Sequence, residues 1–123
     1  MNKMISRQIK CLQLGDLVRV EWFDASIGSS RAGAIDVPVH SWGVFIGVLG
    51  ERNKHIILAQ NNFRYTDGLY DVDYTAIPLS WALTIKIVNS GEVPAEEAKS
   101  LLDSFLAGRK RTLKRRVSNH EMA

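Results

Sequence analysis

A chain of 123 residues, 46% of them hydrophobic and 24% charged, can bury one core but has no room for two. Its formal charge of +3 is unevenly spread: residues 1–93 hold nine Lys/Arg against nine Asp/Glu, residues 94–108 one against three, and residues 109–123 six against one. No run approaches the roughly 20 apolar residues of a membrane span, no secretory-type leader opens the chain, and a single cysteine forms no internal disulfide, so a cytoplasmic protein with no membrane partner is expected.

Residues 1–13 read as an N-terminal extension carrying Cys11. Leu14-Gly15-Asp16 is a turn into a strand over residues 17–23, where Val18, Val20 and Trp22 share one face and Arg19 and Glu21 the other. A long loop follows, with Arg31 among Gly and Ser residues. Residues 42–49 (WGVFIGVL) are apolar on both faces; Gly43 and Gly47 fall on the side of Phe45, as in a strand that bends sharply or is closely approached by another backbone. A turn at Gly50-Glu51-Arg52-Asn53 leads into a strand over residues 55–60, which pairs with its predecessor as a hairpin. The next loop, Asn61-Asn62-Phe63-Arg64-Tyr65-Thr66, sets two aromatics and a cation among amides, a mixture suited to stacking on unpaired bases. Residues 70–79 alternate outward carboxylates (Asp71, Asp73) with apolar residues until Pro78 ends the run, and residues 83–88 place Leu83, Ile85 and Ile87 inward.

Residues 91–108 predict a helix. Pro94 suits its first position, Glu96 and Glu97 its first turn, and Gly108 its C-terminal cap. Ala98, Leu101, Leu102, Phe105 and Leu106 form its apolar stripe, to be buried against the open end of a barrel or against a partner subunit. Residues 109–123 form a basic tail whose cations, Arg109, Lys110, Arg111, Lys114, Arg115 and Arg116, lie within eight residues. Five short strands with no helix between them favour a closed or nearly closed sheet, because an open one leaves edges and a greasy face uncovered. The long loop after the first strand, the tight hairpins and the short link at residues 78–82 together predict a mainly β fold, a small five-stranded SH3-like barrel over residues 14–90. The neighbouring Sm-like barrel opens with a helix and carries a Gly-rich second strand followed by Asp, a pattern not found here.

The run GDLVRVEWFDAS (residues 15–26), then SWGVFIG (41–47), IILAQ (56–60) and TAIP (75–78), resembles small, mostly uncharacterised proteins of phages and mobile elements. The resemblance covers residues 14–88, implies the SH3-like barrel, and carries no chemistry. A second likeness, to cell-wall peptidases of the NlpC/P60 type, rests on Cys11, Gly15-Asp16-Leu17-Val18 and His40 before Gly43. It fails on geometry: Cys11 has too little chain ahead of it for the helix whose N-terminus would activate a thiolate, and His40 stands three residues before Gly43 where that family has two, which turns it to the opposite face.

The carboxylates Asp67, Asp71 and Asp73 lack the alternating ligands, glycine and closing Glu of a calcium loop, and His40 and His55 lack further ligands for zinc. No catalytic residue, metal or cofactor is therefore assigned. The expected function is a non-enzymatic nucleic-acid-binding accessory protein. Its basic arm would lie on phosphates of DNA or RNA, and Arg31, Phe63, Arg64 and Tyr65 in the barrel loops would add selectivity. The alternative is an assembly or adaptor module that buries Leu101, Leu102, Phe105 and Leu106 against a second copy or another protein, with the tail a solubilising bystander.

Overall fold

The computed structural model describes residues 3–24, 37–64, 66 and 70–107. Five antiparallel strands, β1 (Leu17–Asp24), β2 (Val37–Leu49), β3 (His55–Arg64), β4 (Tyr70–Pro78) and β5 (Ala82–Asn89), form one sheet in the order β4-β3-β2-β1-β5. A helix, α1 (Lys3–Cys11), precedes the sheet and a second, α2 (residues 95–107), follows it; the turn Leu79–Trp81 links β4 to β5. No helix among the described residues is long and apolar enough to cross a membrane.

β2 is long because it serves two neighbours. Its first part pairs with β1, from Asp24↔Val37 to Leu17↔Val44, and its second with β3, from Val44↔Ala59 to Leu49↔His55. Strand alternation on such a ribbon supplies two apolar faces, and each has its own helix. One cluster contains Val18, Val20 and Trp22 of β1, Phe45, Ile56, Leu58, Ile77 and Ile85, and takes Ile5 of α1 into its interior. Because this cluster draws on both edge strands, β4 and β5, the sheet curls around it. The second cluster, on the opposite face, joins Ile46, Ile57, Ala59 and Val72 to Ala98 and Leu101 of α2.

Two expectations are corrected here. The sheet is not closed: among the described residues β4 and β5 remain its edges. Gln8 of α1 covers the β5 edge, its Oε1 accepting from the Ile85 N–H at 2.7 Å and its Nε2 donating to Thr84 Oγ1 at 3.3 Å. A side-chain amide thus does what a neighbouring strand would do in a closed sheet. The stripe of α2, in turn, packs on the outer face of β2, β3 and β4 instead of an open barrel end. Tyr74 fastens it there, donating to the Leu101 carbonyl at 3.1 Å with its ring edge-on to Phe105 at 4.6 Å.

Irregular strand register explains the remaining differences. Leu83 is an extra residue between the pairs Trp22↔Ala82 and Glu21↔Thr84, so Ala82 and Ile85, three apart, both enter the core, while Leu83 is only half-buried and Ile87 is exposed. Ile46 is the corresponding extra residue in β2 and moves Gly47 to the α2 face, away from the side of Phe45. Gly43 matches the expected close approach: a Cβ there would lie 2.8 Å from Leu58 Cβ.

The turn before β1 is the tightest point. Gly15 has φ +99°, and a Cβ on it would lie 1.9 Å from the Val93 carbonyl oxygen. Its N–H donates to Phe45 O and its carbonyl accepts from the Val93 N–H. Asp16, 1% exposed, accepts from the Gln13 N–H through Oδ2 and from the Gly91 N–H through Oδ1, each at 3.0 Å. Gly15→Ala is therefore expected to destabilise by more than the ordinary range of about 0.5–3 kcal/mol for a point substitution. Asp16→Ala is expected to cost about 1–3 kcal/mol for each backbone donor it leaves unpaired, read from urea denaturation midpoints. On α2, Leu101→Ala should cost about 2–5 kcal/mol because Leu101 is 8% exposed. Leu106→Ala, at 52% exposure, should stay within about 0.5 kcal/mol of wild type.

Candidate nucleic-acid interface

The arm residues Arg109, Lys110, Arg111, Lys114, Arg115 and Arg116, together with Arg31 and Tyr65, lie outside the described residues. Phe63 and Arg64 belong to β3, where they pair with Asp71 and Tyr70, so the expected six-residue loop is in large part strand. The cause is an extra residue at Gln60, which lets the β3–β4 ladder resume at Asn61↔Asp73 and run to Arg64↔Tyr70. Asn61 reinforces that resumption by donating to the Asp73 carboxylate at 3.2 Å.

What the fold assembles is a different basic surface. Lys3, Arg7 and Lys10 follow one another at spacings of four and three along α1, which puts them on one helix face, and all three are exposed. Ile5 and Ile9 occupy the other face and, with Leu12 just after the helix, pack into the core. Between α1 and β5 runs an open groove walled by Arg7, Arg19 and Lys86, with Cys11, Leu12, Ile85 and Ile87 beside them and, among the described residues, no carboxylate in its lining. Among the described residues, none of these three cations has an acidic side chain within ion-pair distance. A second groove, at the β2–β3 turn, is lined by Arg52, Lys54 and His55 with Trp81.

Arg19 connects the first groove to the sheet. It pairs with Lys86 on one side and Trp42 on the other, so Lys86, Arg19 and Trp42 form one row across β5, β1 and β2 on the same face. Trp42 is 52% exposed, whereas Trp22 is buried, stacked on Trp81, and donates its indole N–H to Ser41 Oγ. The backbone under Trp42 is held where the β2–β3 ladder has ended, because Gln60 Nε2 donates to the Trp42 carbonyl at 3.0 Å and Thr75 donates to Gln60 Oε1 at 2.8 Å. In the next row Glu21 faces His40, at 3.8 Å, and the imidazole stands edge-on to the Trp42 ring at 6.1 Å. One row further, Phe23 faces Pro38 and is 39% exposed.

Apart from Glu21 in the neighbouring row, several exposed carboxylates lie away from this groove. Asp71 and Asp73 are exposed on β4, the opposite edge of the sheet, and Glu96, Glu97 and Asp103 are exposed on α2. The body therefore carries its charge unevenly, with Arg7, Arg19 and Lys86 at one edge of the sheet and Asp71 and Asp73 at the other.

α1 also revises the argument about Cys11, because a helix does precede it. Cys11 is the last residue of that helix and is exposed. It stands at the C-terminal end of the helix, whereas the peptidase arrangement needs its cysteine at an N-terminal end. His40 and His55 do not meet: His40 faces Glu21, and His55 pairs with Leu49 at the far end of β2 while its Nδ1 contacts Asn53 O. Among the described residues no group of three or more His, Cys, Asp or Glu is placed to hold a metal ion.

Of this surface, the helical spacing of Lys3, Arg7 and Lys10 was open to reading in the sequence. The meeting of Arg19 with Lys86 and Trp42 was not, since it follows from strand order. Comparison with protein families, with curated proteins and with solved structures found no match to this chain.

Proposed function

We propose that this chain is a non-enzymatic nucleic-acid-binding accessory protein on an SH3-like β scaffold. The strand order β4-β3-β2-β1-β5 and the short helical turn before the last strand support that scaffold. The observation that carries the function is clustered positive charge; among the described residues of the body no carboxylate lies within ion-pair distance of Arg7, Arg19 or Lys86. Six cations fall within residues 109–116, and Arg7, Arg19 and Lys86 wall one groove of the folded body. Cations arranged this way attract a phosphodiester chain, displacing its condensed counterions and giving affinity that needs no base readout. The arm supplies most of that affinity, and the body aligns the strand. α2 offers a protein partner little apolar surface, because Leu101, Leu102 and Phe105 already pack on the sheet and leave Leu106 exposed.

The test is fluorescence-anisotropy titration of labelled duplex DNA and RNA over a range of salt concentrations. It compares the full chain with a variant in which Arg109, Lys110, Arg111, Lys114, Arg115 and Arg116 are all alanine. The variant is expected to bind more weakly to every sequence, with the slope of log K against log salt on duplex DNA reduced by up to about 0.9 for each phosphate the arm no longer neutralises. An unchanged slope removes the arm from the reading, and no measurable binding by the full chain rejects it.

A further inference from the structure

We infer that the row Lys86–Arg19–Trp42 is a binding track for a single strand of nucleic acid, with Trp42 stacking on an unpaired base and the two cations holding the adjoining phosphates. This deepens the proposed function and rests on it. An indole that is 52% exposed on an ordered strand is costly to leave in water. Its backbone is braced by Gln60 and its ring flanked by His40, so the platform is held in place before anything binds. Charge complementarity identifies the occupant: Arg19 and Lys86 stand beside the indole, neither has a carboxylate partner among the described residues, and the groove leading from them adds Arg7. The one acidic side chain on the neighbouring row, Glu21, faces His40.

Geometry favours a single strand over a duplex. Duplex bases are already stacked on each other, and reading their edges requires an element that enters a groove. A sheet face instead offers flat aromatic platforms to bases that are splayed out. Successive rows on one strand face are about 6.6 Å apart, and Phe23 provides a further exposed ring two rows from Trp42. Stacking requires only a π-face, so such a track takes DNA and RNA single strands with little sequence preference.

The experiment measures binding of the full chain to labelled oligothymidylate, oligouridylate and a duplex of equal length. Intrinsic tryptophan fluorescence is followed in parallel, because Trp42 is the tryptophan exposed to a ligand. The full chain is expected to prefer both single strands over the duplex, with quenching on binding, and to bind the two homopolymers with similar affinity. Trp42→Ala should weaken single-strand binding by about 5- to 150-fold, leave duplex binding unchanged, and abolish the quenching. Trp42→Phe should restore most of the affinity, which a merely structural role of the indole would not predict. Arg19→Ala and Lys86→Ala should each lower the single-strand salt slope by about 0.7. Equal binding of duplex and single strand, or single-strand affinity unaffected by Trp42→Ala in a variant with an unchanged thermal midpoint, overturns the track and leaves the arm-based reading standing. Failure of the full chain to bind any of the three probes overturns both.

Discussion

Two adjacent residues, Gly15 and Asp16, tie together the three parts of the chain that the rest of the structure depends on. Their backbone groups bond to Phe45 in the middle of β2 and to Val93 just before α2, and the Asp16 carboxylate accepts from Gln13 after α1 and Gly91 after β5. Both helices are therefore aligned from one point at the start of β1. Burying a carboxylate this completely is tolerable because its oxygens meet backbone N–H donors, bonds strengthened by the anion and shielded from water. Only glycine can precede it, since the backbone turns through positive φ while Val93 O occupies the space of a side chain.

That anchoring assigns each helix to one face of the sheet. α1 places its apolar side in the curled core and its Gln8 amide on the β5 edge, leaving Lys3, Arg7 and Lys10 in solvent. α2 seals the outer face of β2, β3 and β4 through Ala98, Leu101 and the Tyr74–Phe105 contact. The Lys86–Arg19–Trp42 row belongs to neither apolar cluster. Lys3, Arg7, Lys10, Arg19 and Lys86 thus collect at the α1/β5 edge while Asp71, Asp73, Glu96, Glu97 and Asp103 lie on β4 and α2, so the body presents an uneven field to a polyanion.

Much of the fold was legible in the residues because it is local. Alternation marked Val18, Val20 and Trp22 as one face of β1, the Gly50–Asn53 turn separated β2 from β3, and the spacing of Ala98, Leu101 and Phe105 marked the apolar side of α2. What escaped was either short or non-periodic. α1 is nine residues, about the length at which a helix gains its stability from packing more than from propensity. The extra residues at Ile46, Gln60 and Leu83 each interrupt a two-residue period, and nothing in a single strand announces such an interruption, because it is a relation between two strands.

The sequence by itself determined the existence of five strands, the apolar stripe of α2 and the concentration of positive charge in residues 109–116, since each depends on spacing along one segment. It also marked Leu14-Gly15-Asp16 as the turn into β1. Only the tertiary structure decided that β5 lies beside β1, that the sheet stays open with α1 on its edge, and that Arg19 stands between Lys86 and Trp42. Those outcomes depend on which edges remain to be paired once the core has formed, and that choice is made between segments distant along the chain.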